Sequence, residues 1–325
     1  MFSASKRQLV RAGAAALLAL AGASTQAAPA YPERPITLVV GFSAGSSIDM
    51  VARAVAGKLS DKLGQNVIVD NKPGAGGNVA AGLVARSTPD GYTLLVVANS
   101  IAIAPAVYPN VKLDVQKDLR AVGYVGVGPV ILKVSAHKDF KTLKDLVQYA
   151  KAHPGALNFG SSGIGGTPHM ATELFNHVAG IQMTHIPYKG GSDALAALIG
   201  GQVDVLINPL LGDVASDKVR SLAITGTQRS SLSPGVPTFA EVGYASYDMG
   251  VYYGVMGPSG LPNEVVHKFN TALNEVLADA SVVDALTKRS GITLAANTPE
   301  WFQKFLDADI ARWKQLAKTN NIVVD

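Results

Sequence analysis

From residue 31 the chain repeats one pattern. A short unbroken apolar run is followed by a glycine- and serine-rich turn, and then by apolar residues spaced three or four apart. Segment 36–40 (ITLVV) reads as a strand covered on both faces, as in a parallel sheet. Val51, Val55 and Leu59 follow at i, i+4 and i+8, one face of a helix, with Ser46 or Ser47 placed to cap it and Gly64 to end it. Segments 66–69 and 92–97 repeat the strand signal, the second ending at Asn99 and Ser100. Three βα units in succession predict an α/β fold with a doubly wound sheet.

The second half continues in the same way. Segment 122–134 is long, apolar and broken by Gly123, Gly126, Gly128 and Pro129, which suits a strand crossing between two lobes. An amphipathic helix over 141–152 precedes the stretch LNFGSSGIGGTPHMATELF at 157–175. There a strand runs through Ser161, Ser162, Gly163, Gly165 and Gly166 into a helix. Thr167 is placed to cap that helix, and Pro168 sits in its first turn, where a missing N–H costs nothing. Strands follow at 183–186, 203–207 and 219–225, and Ser192 is placed to cap a helix over 193–199. Segment 252–256 predicts a second crossing strand. Helices over 262–278 and 298–318 close the chain, the last with Phe302, Phe305, Leu306, Ile310 and Trp313 on one face.

The first 27 residues stand apart. Lys6, Arg7 and Arg11 precede an apolar run at 12–23, and Thr25-Gln26-Ala27 offers a small-x-small cleavage site. This is the pattern of a signal peptide cleaved near Ala27, and its apolar run is shorter than the roughly 20 residues that span a bilayer. Removing it changes the charge picture: the basic residues fall from 28 to 25 against 24 acids, a net charge of about +1. No basic stripe with interleaved aromatics is present, so nucleic acid is not an expected partner. The chain contains no Cys, which excludes disulfides and thiolate chemistry. The expected organisation is then signal peptide 1–27, a discontinuous lobe 28–128 plus 254–325, and a continuous lobe 129–253.

Ligand sites in such sheets lie beyond the carboxyl ends of the strands. That rule gathers Phe42, Ser43, Ala44, Ser46 and Ser47 from the first lobe and Ser162, Gly163, Gly166 and Thr167 from the second. It adds Asn99, Ser100 and Asn208 at other strand ends. Two hydroxyl-rich helix N-termini facing one cleft make an anion clamp from backbone N–H groups, with no metal and no cofactor. Asp49 and His169, each in the first turn of its helix, are further candidates for ligand contact. His169, His177 and His185 are eight apart, which is not the i, i+4 spacing of metal ligands on a helix face. The glycines at 74, 76 and 77 lack the spacing of a phosphate loop. Gly160-Ser161-Ser162-Gly163 lacks the G-x-S-x-G spacing of a nucleophile elbow, so a serine hydrolase using Ser161 or Ser162, His169 and Asp193 is the weaker alternative, and no enzyme is expected.

Several blocks together resemble the receptors of tripartite tricarboxylate transporters, the Bug family. They are YPERPI at 31–36, NKPGAGGN at 71–78, PDGYTL at 89–94, HIPYKG at 185–190 and GGQVD at 200–204. The resemblance spans essentially the whole mature chain. It implies a monomeric periplasmic solute-binding protein of type II-like two-lobe fold, with two crossing strands and a ligand cleft between the lobes. Such a protein hands a small organic acid to a membrane permease, and a ligand-sensing receptor for a signalling partner is the variant use. The chain departs from the family pattern in the first loop, where Ser43 and Ala44 replace two prolines and Gly45-Ser46 replaces a glycine pair. Pro168 stands where a serine is common, and Asn208 where an acid is often found, which leans toward a ligand with no cationic end.

Overall fold

The 17-residue strand Leu119–Ser135 carries the architecture, because it belongs to two sheets at once. The computed structural model describes residues 31–108, 112–210 and 217–319; the expected signal peptide lies outside them. Tyr31–Glu33, with a cis Tyr31–Pro32 bond, forms a short unit by itself, and the body begins at Arg34.

In chain order the body contains β1 (Ile36–Val40), α1 (Ser47–Leu63), β2 (Val67–Asn71), α2 (Asn78–Ala85), β3 (Thr93–Ala98), α3 (Ser100–Val107), α4 (Val115–Asp118) and β4 (Leu119–Ser135). Then come α5 (Leu143–Ala152), β5 (Asn158–Ser161), α6 (Thr167–Ala179), β6 (Thr184–Pro187), α7 (Gly191–Ile199), β7 (Val205–Pro209), β8 (Val219–Ile224) and β9 (Gly250–Pro258). The chain ends with α8 (Asn263–Leu277), α9 (Ala280–Val283), β10 (Thr293–Leu294) and α10 (Pro299–Thr319).

The strand order is β2-β1-β3-β9-β4-β7-β5-β6, with β8 and β10 also paired to β4. β1, β2 and β3 run parallel, as their unbroken apolar runs predict, and so do β5, β6 and β7. β9 is antiparallel to both β3 and β4. The first part of β4 pairs with β9 from Leu119 to Pro129, and the last part with β7 and β8 from Val130 onward. The glycines inside β4 are there for close approach. A Cβ at Gly126 would lie 2.4 Å from the Thr293 carbonyl oxygen, so only glycine lets β10 pair there.

The predicted elements recur with shifted ends, and three assignments change. α3 was not visible as a helix because Ser100–Val107 is almost wholly buried and contains Pro105, so it has no polar face to reveal a period. α7 starts at Gly191 with Gly190 at its cap, so Ser192 lies inside the helix and its hydroxyl is free to reach elsewhere. Gly166, not Thr167, caps α6, and its extended conformation leaves Thr167 as the first helical residue. α10 buries Phe302, Leu306, Ile310 and Trp313 as its periodicity predicts, while Phe305 is half-buried against Trp301 and Tyr252.

Packing is tightest where α10 crosses the two central strands. A Cβ on Gly254 of β9 would sit 2.4 Å from Phe302 Cζ and 2.9 Å from the Gly123 carbonyl oxygen. Gly254→Ala is therefore expected to destabilise the body by about 1–3 kcal/mol, by overpacking a filled site. The measurement is the urea midpoint followed by circular dichroism; an unchanged midpoint would show that the sheet and helix yield without cost.

Candidate functional site

Each parallel strand ends by delivering a loop and a helix start to the same side of the sheet. After β1 the chain turns through Gly41–Ser46 into α1. Asp49, in the first turn of α1, shapes this loop: its carboxylate accepts the Gly45 N–H at 2.9 Å, Arg53 Nε at 3.0 Å and Asn71 Nδ2 at 2.9 Å. Burial pushes the Asp49 carboxyl up, but hydrogen bonds from Arg53, Gly45 and Asn71 outweigh it and hold the group below the usual carboxylate range. Its oxygens face its own loop, and it does not line the cavity described below. Asn71 Nδ2 also donates to the Phe42 carbonyl at 3.0 Å, so β2 pins the loop from the other side.

The matching loop after β5 runs from Ser161 to Gly166. Gly163 has φ 112°, a conformation that favours glycine. Its N–H donates to Ser161 Oγ at 3.1 Å, and its carbonyl accepts the Gly166 N–H at 3.1 Å. The loop rests on the turn before α2: a Cβ at Gly76 would lie 2.5 Å from the Ile164 carbonyl oxygen, and Tyr108 Oη donates to that same oxygen. The first loop in turn reaches α7. Ser43 Oγ donates to Asp193 Oδ2 at 3.2 Å and lies 3.3 Å from Ser192 Oγ, which donates to the Ala44 carbonyl at 3.3 Å.

Between these contacts lies a cavity lined by Phe42, Ser46, Ser47, Ile48, Ala98, Ser162, Thr167, Pro168, Gly191, Asn208, Pro209 and Val251. Three helix N-termini meet there: α1 through Ser46–Ile48, α6 through Thr167 and Pro168, and α7 through Gly191. None of the three is closed by a side-chain cap. A helix cannot pair its own first N–H groups, so they seek an acceptor outside it. Among the described residues that line the cavity there is no Asp, Glu, Lys, Arg or His. The space open to the centre of a water molecule is about 30 Å³, room for about two waters.

Of the residues picked from the sequence, Phe42, Ser46, Ser47, Ser162, Thr167 and Asn208 line this cavity. Ser43 and Ala44 lie outside it, in the contact with α7. Asn99 is spent on β9: its Nδ2 donates to the Gly250 carbonyl at 2.9 Å and its Oδ1 accepts the Tyr252 N–H at 3.0 Å. Ser100 borders a smaller space behind Phe42 and Gly77. Gly163 and Gly166 shape the second loop without lining the cavity. Ile48, Ala98, Pro168, Gly191, Pro209 and Val251 also line the cavity and were not among those picked. Val251 lies in a crossing strand whose whole length is apolar, so nothing local marks which residue faces a ligand. The strand-end rule reaches β7, but Asn208 is inside the strand and not beyond it.

His169 lies behind the loop. Its Nδ1 accepts the Gly165 N–H at 3.1 Å, which places the ring proton on Nε2. The ring stacks on His185 at 3.9 Å between centroids, and His185 stacks in turn on Phe159. His185 Nε2 is 2.6 Å from Ser161 Oγ. This serine–histidine contact is not the hydrolase arrangement considered above. Ser161 is fully buried, it does not line the cavity, and the carboxylate nearest the histidine pair, Glu173, stands 3.8 Å from His169 rather than beside His185. The pair braces the loop.

Burial, and then the neighbouring His185, lower the His169 pKa to about 3; burial lowers that of His185 to about 4. Both folded-state values lie below the ordinary 6.5, so between pH 6.5 and 4 the unfolded chain takes up protons that the folded chain refuses. Their contribution to stability is present above pH 6.5 and is lost as pH falls through that window. A melting series should show Tm falling by at least roughly 2 °C from pH 6.5 to 4.5, with a shallower fall in His169→Gln. An equal slope in both proteins would remove the histidine pair as the cause.

The chain from residue 51 to 322 matches the model of the tripartite tricarboxylate transporter family receptor. The fold is similar to that of the periplasmic binding protein BugD, with TM-score 0.86 and 31% identity over 90% of this chain and 99% of that one. It is also similar to MatC from Rhodopseudomonas palustris with bound malate (TM-score 0.83, 29% identity, 88% and 99% covered). A further R. palustris protein, solved with adipate, gives TM-score 0.85 and 33% identity, with 90% and 100% covered. No helix among the described residues is long and apolar enough to cross a membrane. A family match over most of the chain, carried by a periplasmic-binding-protein fold, makes this chain a member of the tripartite tricarboxylate transporter receptor family, the Bug proteins.

Proposed function

We propose that the chain captures a small organic carboxylate in the cavity between the β1 and β5 loops and delivers it to a tripartite-type membrane permease. The observation that carries this reading is the convergence of three uncapped helix N-termini on a cavity with no charged side chain among its described lining residues. Such a site satisfies an anion with N–H groups and hydroxyls. The related proteins with malate and adipate support it, since both ligands are carboxylates. The apolar lining from Phe42, Ile48, Pro168 and Val251 suits the carbon skeleton of such an acid.

Delivery needs two forms. In this reading a ligand enters when the loops separate. The proposed moving bodies are lobe 28–128 plus 254–325 and lobe 129–253, joined where β4 and β9 cross. The Ser43–Asp193, Ser192–Ala44 and Tyr108–Ile164 hydrogen bonds would break on opening and form on closing. The protein would act as a monomer in the periplasm after loss of the signal peptide. It needs no cofactor and performs no catalysis.

Calorimetry and thermal shift with malate, adipate and benzoate, against the corresponding neutral amides, test the reading. Acids are expected to bind and raise Tm while the amides do neither; equal binding of the amides would refute the anion clamp. Thr167→Val and Ser162→Ala each remove one hydroxyl that faces the cavity. Each should weaken binding of the best acid by about 1.5–3 kcal/mol, roughly ten- to hundredfold in Kd. Unchanged affinity in both variants would place the ligand elsewhere.

A further inference from the structure

Two polar atoms in the cavity wall have no partner. Ser46 is 3% exposed and Asn208 1% exposed, and neither Ser46 Oγ nor Asn208 Oδ1 makes a hydrogen bond. Both residues line the cavity. A buried polar atom left unpaired costs free energy, so each is a demand on whatever occupies the site. The two demands differ in kind. A hydroxyl donates or accepts, whereas the carbonyl oxygen of an amide only accepts.

A carboxylate does not meet the second demand. It has no proton to give, and placing it against Asn208 Oδ1 sets two acceptors face to face. The carboxylate is served by the helix N-termini of α1, α6 and α7. Asn208 is on β7, between β4 and β5, and its Oδ1 as oriented needs an O–H or N–H. An ammonium group would supply one, but none of the described residues lining the cavity is acidic and able to balance a buried cation. A neutral donor remains. From this we infer that the ligand carries a hydroxyl beside its carboxylate and that Asn208, assisted by Ser46, selects hydroxy acids over the same acids without the hydroxyl. The inference rests on the carboxylate reading above and adds the second functional group.

Matched pairs of probes isolate that group: malate with succinate, lactate with propionate, and 4-hydroxybenzoate with benzoate. Calorimetry on the mature chain should show at least one hydroxy acid binding about tenfold or more tighter than its partner. In Asn208→Leu that ratio should collapse toward one, because the hydroxy acid loses the acceptor for its hydroxyl and the deoxy acid has no such bond to lose. Ser46→Ala should reduce the ratio less, and circular dichroism melts establish that each variant is folded. Should Asn208→Leu be unfolded, Asn208→Ala provides the same comparison with a smaller side chain that has no acceptor. Deoxy acids binding as tightly as hydroxy acids in the wild-type chain would overturn the inference while leaving carboxylate binding intact. So would a hydroxyl preference that survives in Asn208→Leu, since water or another group would then be the reader. Absence of binding by every acid would instead bring down the carboxylate reading itself.

Discussion

A helix begins with N–H groups that its own backbone cannot satisfy, and this site is organised around that constraint. In most helices a Ser, Thr, Asp or Asn side chain closes the start, as Thr142 and Asp145 do reciprocally for α5. The helices α1, α6 and α7 are left without such closure. Their loops are held instead by groups that point away from the helix starts. Asp49 gathers Gly45, Arg53 and Asn71 on one side, and Ser161, His169 and His185 brace the other. The supporting hydrogen bonds stay outside the cavity, which keeps the N–H groups at the cavity free for an acceptor.

The second requirement is that the loops come from different sheets and still meet. The strands β4 and β9 make that possible by running through the middle, β4 pairing with β9 along its first part and with β7 and β8 along its last. Glycines are placed where backbone must approach backbone. Gly126 admits β10, Gly76 admits the Ile164 carbonyl, and Gly190 admits Ser43, whose Oγ would lie 1.8 Å from a Cβ at that position. In the proposed capture cycle the contacts at Gly76 and Gly190 form on closing, so these two glycines also set how closely the lobes meet.

The buried histidines show how easily a binding site is mistaken for a catalytic one. Ser161 and His185 are 2.6 Å apart, a distance suited to a nucleophile and its base. Both partners face the underside of the loop. Their rings and hydroxyl brace the loop backbone, and burial keeps the histidines neutral. A group of this type influences ligand binding through the loop that it supports.

Much of the fold was legible in residue order. Unbroken apolar runs marked the parallel strands, and glycine, serine and proline between them marked the loops, because both follow from local chemistry. The central strands β4 and β9 were legible too, β4 as a long apolar segment out of step with the βα rhythm. The candidate site was legible in part, since hydroxyls at strand ends are visible one loop at a time. What the sequence could not determine is which of them share a cavity. Asp49, Asn99 and His169 have the residue types of ligand contacts, yet their polar atoms are satisfied by partners such as Asn71, Gly250 and Gly165. Val251 and Gly191 have no such chemistry, yet they line the wall. The same holds for Ser46 and Asn208, whose lack of partners exists only in three dimensions. Local sequence determines what a residue offers, whereas satisfaction of a buried polar group is set by neighbours dozens to hundreds of residues away, and only the packed chain brings those together.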